Sequence, residues 1–251
     1  MSKIKISIVS YLNSKPFIKG LQESDLIKKI DLQLDIPSVC AQKLLEGKVD
    51  LGLIPVAVLP LLKEKHIISN YCIGAVGKVA SVMLYSDVPL SEIKTVLLDY
   101  QSRTSVTLVK ILAQKFWKIN PQWIAAQANY EKEISGTSAA VIIGDRTFGL
   151  ENKYKFAYDL AEEWQKFTGL PFVFACWVSN KQLPDTFIAE FNAALETGLN
   201  KRPELIEELE KSKKYFTNID TYLNQNIDYY YDSAKKQALE LFLSYLANLE
   251  Q

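Results

Sequence analysis

The stretch Ile6-Ser7-Ile8-Val9-Ser10-Tyr11-Leu12-Asn13-Ser14-Lys15-Pro16-Phe17 changes character halfway along. Its first half is β-branched and apolar, and its second half is the polar turn Asn-Ser-Lys-Pro. Beyond it Phe17, Ile18 and Leu21 recur at helical spacing, so the stretch predicts strand, turn, helix. Pro16 suits the first helical position, where its missing N–H has no partner to lose. In open α/β sheets ligands bind beyond the carboxyl ends of strands. A Tyr11-Leu12-Asn13-Ser14 turn there sets a phenol, an amide and a hydroxyl at a cleft mouth. The same residues also read as an Asn-capped helix in a solvated loop.

Working outward, residues 31–36 alternate with period two, as a half-buried strand does. Pro37-Ser38 opens a helix that Gly47 stops, and residues 49–54 form a short buried strand. Pro55 then opens a segment from Val56 to Leu62 that Pro60 keeps short or kinked. This β-α-β-α run with short connections calls for a parallel sheet. Gly74 and Gly77 precede the strand Val82–Ser86 and mark a lobe boundary. Thr95–Asp99 reads as a strand. Ser102, Thr104 and Ser105 crowd the start of the helix that follows, either as caps or as an anion site. Strands are expected at 121–125 and 139–143, and a helix from Tyr158. Residues 172–178 are apolar on both faces, which excludes an edge strand and returns the chain to the first lobe. The remainder reads as helical, with the Asp228-Tyr229-Tyr230-Tyr231-Asp232 tyrosines as packing.

The 251 residues are 48% apolar, enough for a sizeable core, and 29 Lys and Arg balance 29 Asp and Glu. No global field favours nucleic acid or an anionic membrane. No stretch approaches a membrane span. The opening residues read as a strand rather than an apolar leader, so a cytoplasmic protein is expected. Cys40, Cys72 and Cys176 lie in apolar settings without a C-x-x-C, which predicts buried free thiols. The single His66 lies in a charged loop. Zinc spacings, G-x-G-x-x-G, the P-loop and G-x-S-x-G are all missing from the sequence. No metal and no cofactor are expected, and any catalysis falls to short polar side chains and backbone dipoles.

Taken in order, the motifs resemble a known family. They are Ser10-Tyr11-Leu12-Asn13, Ile36-Pro37-Ser38, Leu45-Glu46-Gly47-Lys48-Val49-Asp50 and Gly77-Lys78-Val79-Ala80-Ser81-Val82. Ser102-Arg103-Thr104-Ser105-Val106, Ile142-Ile143-Gly144-Asp145 and Tyr158-Asp159-Leu160 follow. A segment from Glu163-Trp164 through Thr168-Gly169-Leu170-Pro171-Phe172 to Trp177 closes the series. The set resembles the chorismate dehydratases of the futalosine route to menaquinone. The resemblance implies an α/β, two-lobed fold like that of type II periplasmic binding proteins, with the ligand cleft between lobes. Residues 1–80 plus 176–251 would form lobe I, and 81–175 lobe II. It implies loss of water from chorismate to give 3-[(1-carboxyvinyl)oxy]benzoate, a lyase reaction in menaquinone biosynthesis. It places Asn13 at the chemistry, and Tyr11, Ser38, Ser81, Thr104, Ser105 and Asp145 around the substrate. The expected partner is small-molecule chorismate, with no nucleic acid and no membrane; the oligomeric state is not legible. Pro55 stands where some relatives carry a Ser.

Three other readings share features of this chain. They are a non-catalytic small-anion-binding protein of the same fold, a ligand-sensing domain, and the later naphthoate-forming enzyme of the same pathway. The balanced charge and lack of a helix-turn-helix disfavour the sensor. The naphthoate-forming family is expected to open on Pro-x-Pro-Asn-Asp and to use a catalytic His, which His66 does not match.

Overall fold

The computed structural model describes residues 3–249. Eleven strands among the described residues form two mixed sheets. Sheet A holds β1 (Ile4–Val9), β2 (Ile30–Asp35), β3 (Leu51–Pro55), β4 (His66–Ala75), β10 (Phe172–Ser179) and β11 (Asp228–Tyr230). Sheet B holds β5 (Val82–Ser86), β6 (Thr95–Leu98), β7 (Gln122–Ala125), β8 (Ser138–Ile143) and β9 (Phe156–Asp159). Their spatial orders are β11-β4-β10-β3-β1-β2 and β7-β6-β8-β5-β9. Two connections, 76–81 and 160–171, join the sheets. This is the two-lobed α/β architecture expected, lobe I on sheet A and lobe II on sheet B.

The β-α-β-α run gives the expected parallel pairing, β1 with β2 on one side and β3 on the other. The rest of sheet A is antiparallel, because the chain comes back through β10, which pairs with both β3 and β4. All eight residues of β10 are buried, as its unbroken apolar run requires of a central strand. The lobe division expected at 175/176 falls inside this strand, whose residues all belong to sheet A. Two further expectations are corrected. Tyr158 and Asp159 end β9, and the helix α4 begins only at Leu160; Asp159 caps it by accepting from Ala161 N and Glu162 N. Within the last, helical region, residues 228–230 form the edge strand β11.

The helices are α1 (Lys15–Glu23), α2 (Pro37–Leu45), α3 (Arg103–Ile111), α4 (Leu160–Thr168), α5 (Asp185–Asn200), α6 (Arg202–Ser212), α7 (Ile219–Thr221) and α8 (Ser233–Ala247). Val56–Leu61 is a 3₁₀ segment with Pro60 inside, short as the proline dictates. None of the described helices is long and apolar enough to cross a membrane. The Trp-to-Trp segment is core. Trp164 packs edge-on against Phe172 at 5.3 Å and donates from Nε1 to Pro171 O at 3.1 Å. Trp177 packs edge-on against Phe191 and Phe17 at 4.9 and 5.9 Å.

Helix α1 follows the decisive turn directly, so whatever fixes α1 fixes the turn. It crosses α5 at backbone contact. A Cβ on Gly198 would overlap Pro16 O, and one on Gly20 would overlap Ala194 O. Gly198→Ala should therefore force α1 outward and destabilise the protein by roughly 1–3 kcal/mol, the usual range for overpacking; urea unfolding measures it. The three thiols are all buried. Burial pushes the Cys40 thiol up to about 12 and raises the other two well above the ordinary thiol value. Thiol-reactive reagents at pH 8 should leave the native protein unlabelled and modify all three cysteines in denaturant.

Candidate functional site

The turn after β1 lies at the seam between the lobes. Leu12–Ser14 form a single 3₁₀ turn, and α1 begins at Lys15 with Pro16 in its first turn. Neither Ser14, which stands at the N-cap, nor Asn13 caps the helix with its side chain. Asn13 is 9% exposed and Ser14 fully buried. The Ser14 hydroxyl donates to Asn13 Oδ1 at 3.2 Å, and Tyr229 OH donates to Asn13 O at 2.9 Å.

A cavity opens beside this turn, between the sheets, with about 520 Å³ of empty space including open solvent. Its polar walls are Tyr11, Asn13, Ser14, Ser81, Ser102 and Ser105. Its apolar walls include Val9, Pro37, Pro55, Ile143 and Phe174. None of the lining residues carries a formal charge. Among the described residues no group of three or more His, Cys, Asp and Glu side chains comes together as a metal site.

The charged groups sit behind the cavity and are paired. Arg146 binds Asp99 through Nη2 and Glu131 through Nη1, the latter at 3.0 Å. Tyr130 OH donates to Asp99 Oδ2 at 2.6 Å, and the guanidinium lies over the Tyr100 and Tyr130 rings. Tyr11 reaches from lobe I into this cluster, donating to Gln101 Oε1 and meeting Arg146. Burial raises the Tyr11 phenol well above its ordinary value, so it stays protonated. Its ring lies on Gly144, where an added Cβ would come within 2.6 Å. Gly144 also has φ +64°, the left-handed region.

Of the residues expected at the substrate, Tyr11, Asn13, Ser81 and Ser105 line one cavity. Three do not. Ser38 lies one residue beyond the wall, which Pro37 supplies. The Thr104 hydroxyl is taken, donating to Phe174 O and accepting from Ala57 N, both at 3.2 Å, so it ties α3 to lobe I. Asp145 Oδ1 accepts from Leu12 N at 3.0 Å, joining lobe II to the turn. Between the two readings of the α3 start, capping is realised: Ser102 Oγ accepts from Ser105 N at 3.1 Å. The two serine hydroxyls also touch each other, at 3.0 Å. Pro55 stands in the wall, where an apolar ring takes the place of a hydroxyl.

Ser81 ends the first connection between the lobes. Ala80 before it has φ +61°, a conformation L residues with a Cβ rarely adopt. Asp159 holds it there by accepting from Ala80 N at 2.7 Å. The sequence reading placed Ser14 and Ser102 at the cleft, but missed Gln101 and above all Tyr222. The Tyr222 hydroxyl is fully buried and donates to Ser81 Oγ at 2.8 Å. Nothing local in Thr221-Tyr222-Leu223 signals that role.

The architecture is that of a two-lobed binding protein with its ligand cleft between the lobes. Solved structures show the same fold. One is the Candida albicans gene product described as having the generic periplasmic binding protein fold, with TM-score 0.63, 11% identity and 100% of this chain and 92% of that chain covered. Another is the alkanesulfonate-binding protein SsuA of Xanthomonas axonopodis pv. citri bound to MOPS, with TM-score 0.64, 11% identity and 100% and 95% covered. Residues 4–248 match the menaquinone biosynthesis family, and the chain belongs to it. It is 26% identical over 194 residues to the chorismate dehydratase of Thermus thermophilus, covering 68% of this chain and 70% of that one.

Burial raises the Asp145 carboxyl above its ordinary range; the Leu12 N–H, Lys214 and Lys15 oppose this. The folded protein then holds this proton more tightly than the unfolded chain. Its contribution to stability falls as pH rises from the ordinary carboxylate value through the raised one. Asp145→Asn should flatten that fall while keeping an oxygen for Leu12 N. Asp145→Ala should lower stability by roughly 1–3 kcal/mol by orphaning the N–H; urea unfolding across pH reads both.

Proposed function

We propose that the protein is a chorismate dehydratase, converting chorismate to 3-[(1-carboxyvinyl)oxy]benzoate in menaquinone biosynthesis. The observation that carries this is the placement of Asn13 and Ser81, from two motifs 68 positions apart, on the wall of one uncharged interlobe cavity. Family membership and the Thermus relative support the same reading.

Chorismate loses the ring hydroxyl and the hydrogen of the neighbouring ether-bearing carbon, and the ring becomes aromatic. The step is strongly downhill and needs geometry more than a strong acid–base pair. No carboxylate or imidazole lines the cavity to take the proton. Asp145 is turned to Leu12 N. A carboxylate of the substrate itself then removes the ring proton, and hydroxyl and amide donors hold the departing oxygen and the carboxylates in place. Asn13 is the residue at the chemistry, hydrogen-bonding the substrate; Tyr11, Ser81 and Ser105 shape the site around it.

Protein mixed with chorismate should yield a product lighter by one water, seen by chromatography and mass. Asn13→Ala should cut turnover on the order of 10²-fold or more, the scale for a lost oriented donor, while the orphaned Ser14 hydroxyl lowers stability by only roughly 1–3 kcal/mol. Near-normal turnover in that variant would sink the role of Asn13. Binding without conversion would favour a non-catalytic anion-binding protein, the role named for the alkanesulfonate-binding neighbour.

A further inference from the structure

Tyr222 reaches the cavity wall from behind, out of a segment remote in sequence from every motif of the site. It is 1% exposed, and burial raises its phenol well above the ordinary value, so it is a neutral O–H with one proton to give. That proton goes to Ser81 Oγ, at 2.8 Å. The Asn13 side chain lies beside the same phenol. The Phe148 ring stands edge-on at 5.1 Å and holds the phenol in position.

We propose that Tyr222 is a positioning residue that sets the hydrogen-bond polarity of the site; this rests on the dehydratase reading given above. Two donations fix its sense, from Ser14 to Asn13 Oδ1 and from Tyr222 to Ser81 Oγ. Ser81 accepts at its oxygen, and its own proton is left for the cavity, which it lines. Asn13, its side-chain oxygen bonded to Ser14, lines the same cavity. The wall therefore presents donors to an acceptor oxygen of the substrate. Removing the Tyr222 hydroxyl frees Ser81 to turn its proton inward, toward Asn13, and the wall loses its fixed sense.

The test is a double-mutant cycle on chorismate turnover with Tyr222→Phe and Ser81→Ala. Tyr222→Phe keeps the ring against Phe148 and removes only the hydroxyl. It should lower kcat on the order of 10²-fold, the scale of a misplaced contact, with KM changed far less. The double variant should be no slower than Ser81→Ala alone, because Tyr222 acts through Ser81. Tyr229→Phe, which removes a phenol bonded to the Asn13 carbonyl rather than its side chain, should change kcat far less. An unchanged kcat in Tyr222→Phe, or fully multiplicative effects in the cycle, would overturn the assignment. A second readout needs no turnover and no variant. The buried Tyr222 hydroxyl proton should show NMR cross-relaxation to the Ser81 β protons, and contact with Asn13 alone would overturn it. A wild type that does not convert chorismate sinks the dehydratase reading, and the NMR contact then decides the hydrogen-bond sense by itself.

Discussion

An amide buried where two lobes meet needs partners for its oxygens, and most of the site follows from that condition at Asn13. In a low-dielectric seam an unpaired polar group costs about 1–3 kcal/mol. The Asn13 oxygen has the Ser14 hydroxyl and its backbone carbonyl has Tyr229. Its side chain also lies beside Tyr222. Each partner comes from a different depth in the chain, so the site cannot form from the first strand and turn alone. The close glycine crossing of α1 on α5 keeps the turn where these partners can reach it.

Charge is handled by distance rather than by exclusion from the fold. Arg146 is paired with Asp99 and Glu131 and covered by two tyrosine rings, so the cation behind the cavity is fully occupied by carboxylates. The wall facing a ligand is hydroxyl, amide and hydrocarbon. Such a wall orients oxygen atoms without competing cations and without a base to remove protons indiscriminately. A bound carboxylate in it meets oriented donors rather than bulk water, which strengthens each contact.

What was legible in the sequence was what local pattern controls. The alternation of β1, the double-sided apolar run of β10 and the helix stops at Gly47 and Gly169 all place their elements. The motif order brought Tyr11, Asn13, Ser81 and Ser105 to one cavity. Thr104 and Asp145 stand in the same motifs, yet their polar atoms serve the contact between lobes. A sequence cannot say which neighbour a hydroxyl finds when that neighbour lies far off in the chain, as Ala57 does for Thr104. Tyr158 and Asp159 read as helix because the amphipathic pattern runs through them; tertiary pairing with β5 makes them strand instead. The tyrosines of 228–232 resembled packing, and Tyr229 does pack on Phe17 at 5.3 Å, but its hydroxyl also serves Asn13.

The contacts across the seam are of one kind and act together. Tyr11 with Gln101, Leu12 with Asp145, Thr104 with Ala57 and Phe174, and Tyr222 with Ser81 each join a lobe I group to a lobe II group. Separating the lobes would break all of them at once and expose the polar wall to water. A cleft built this way assembles its donors only when shut. The Ala80 backbone, in the left-handed region and tied by Asp159, sets how Ser81 enters that assembly. Water exclusion and donor alignment are therefore the same event, which is what an elimination relying on geometry rather than on a strong base requires.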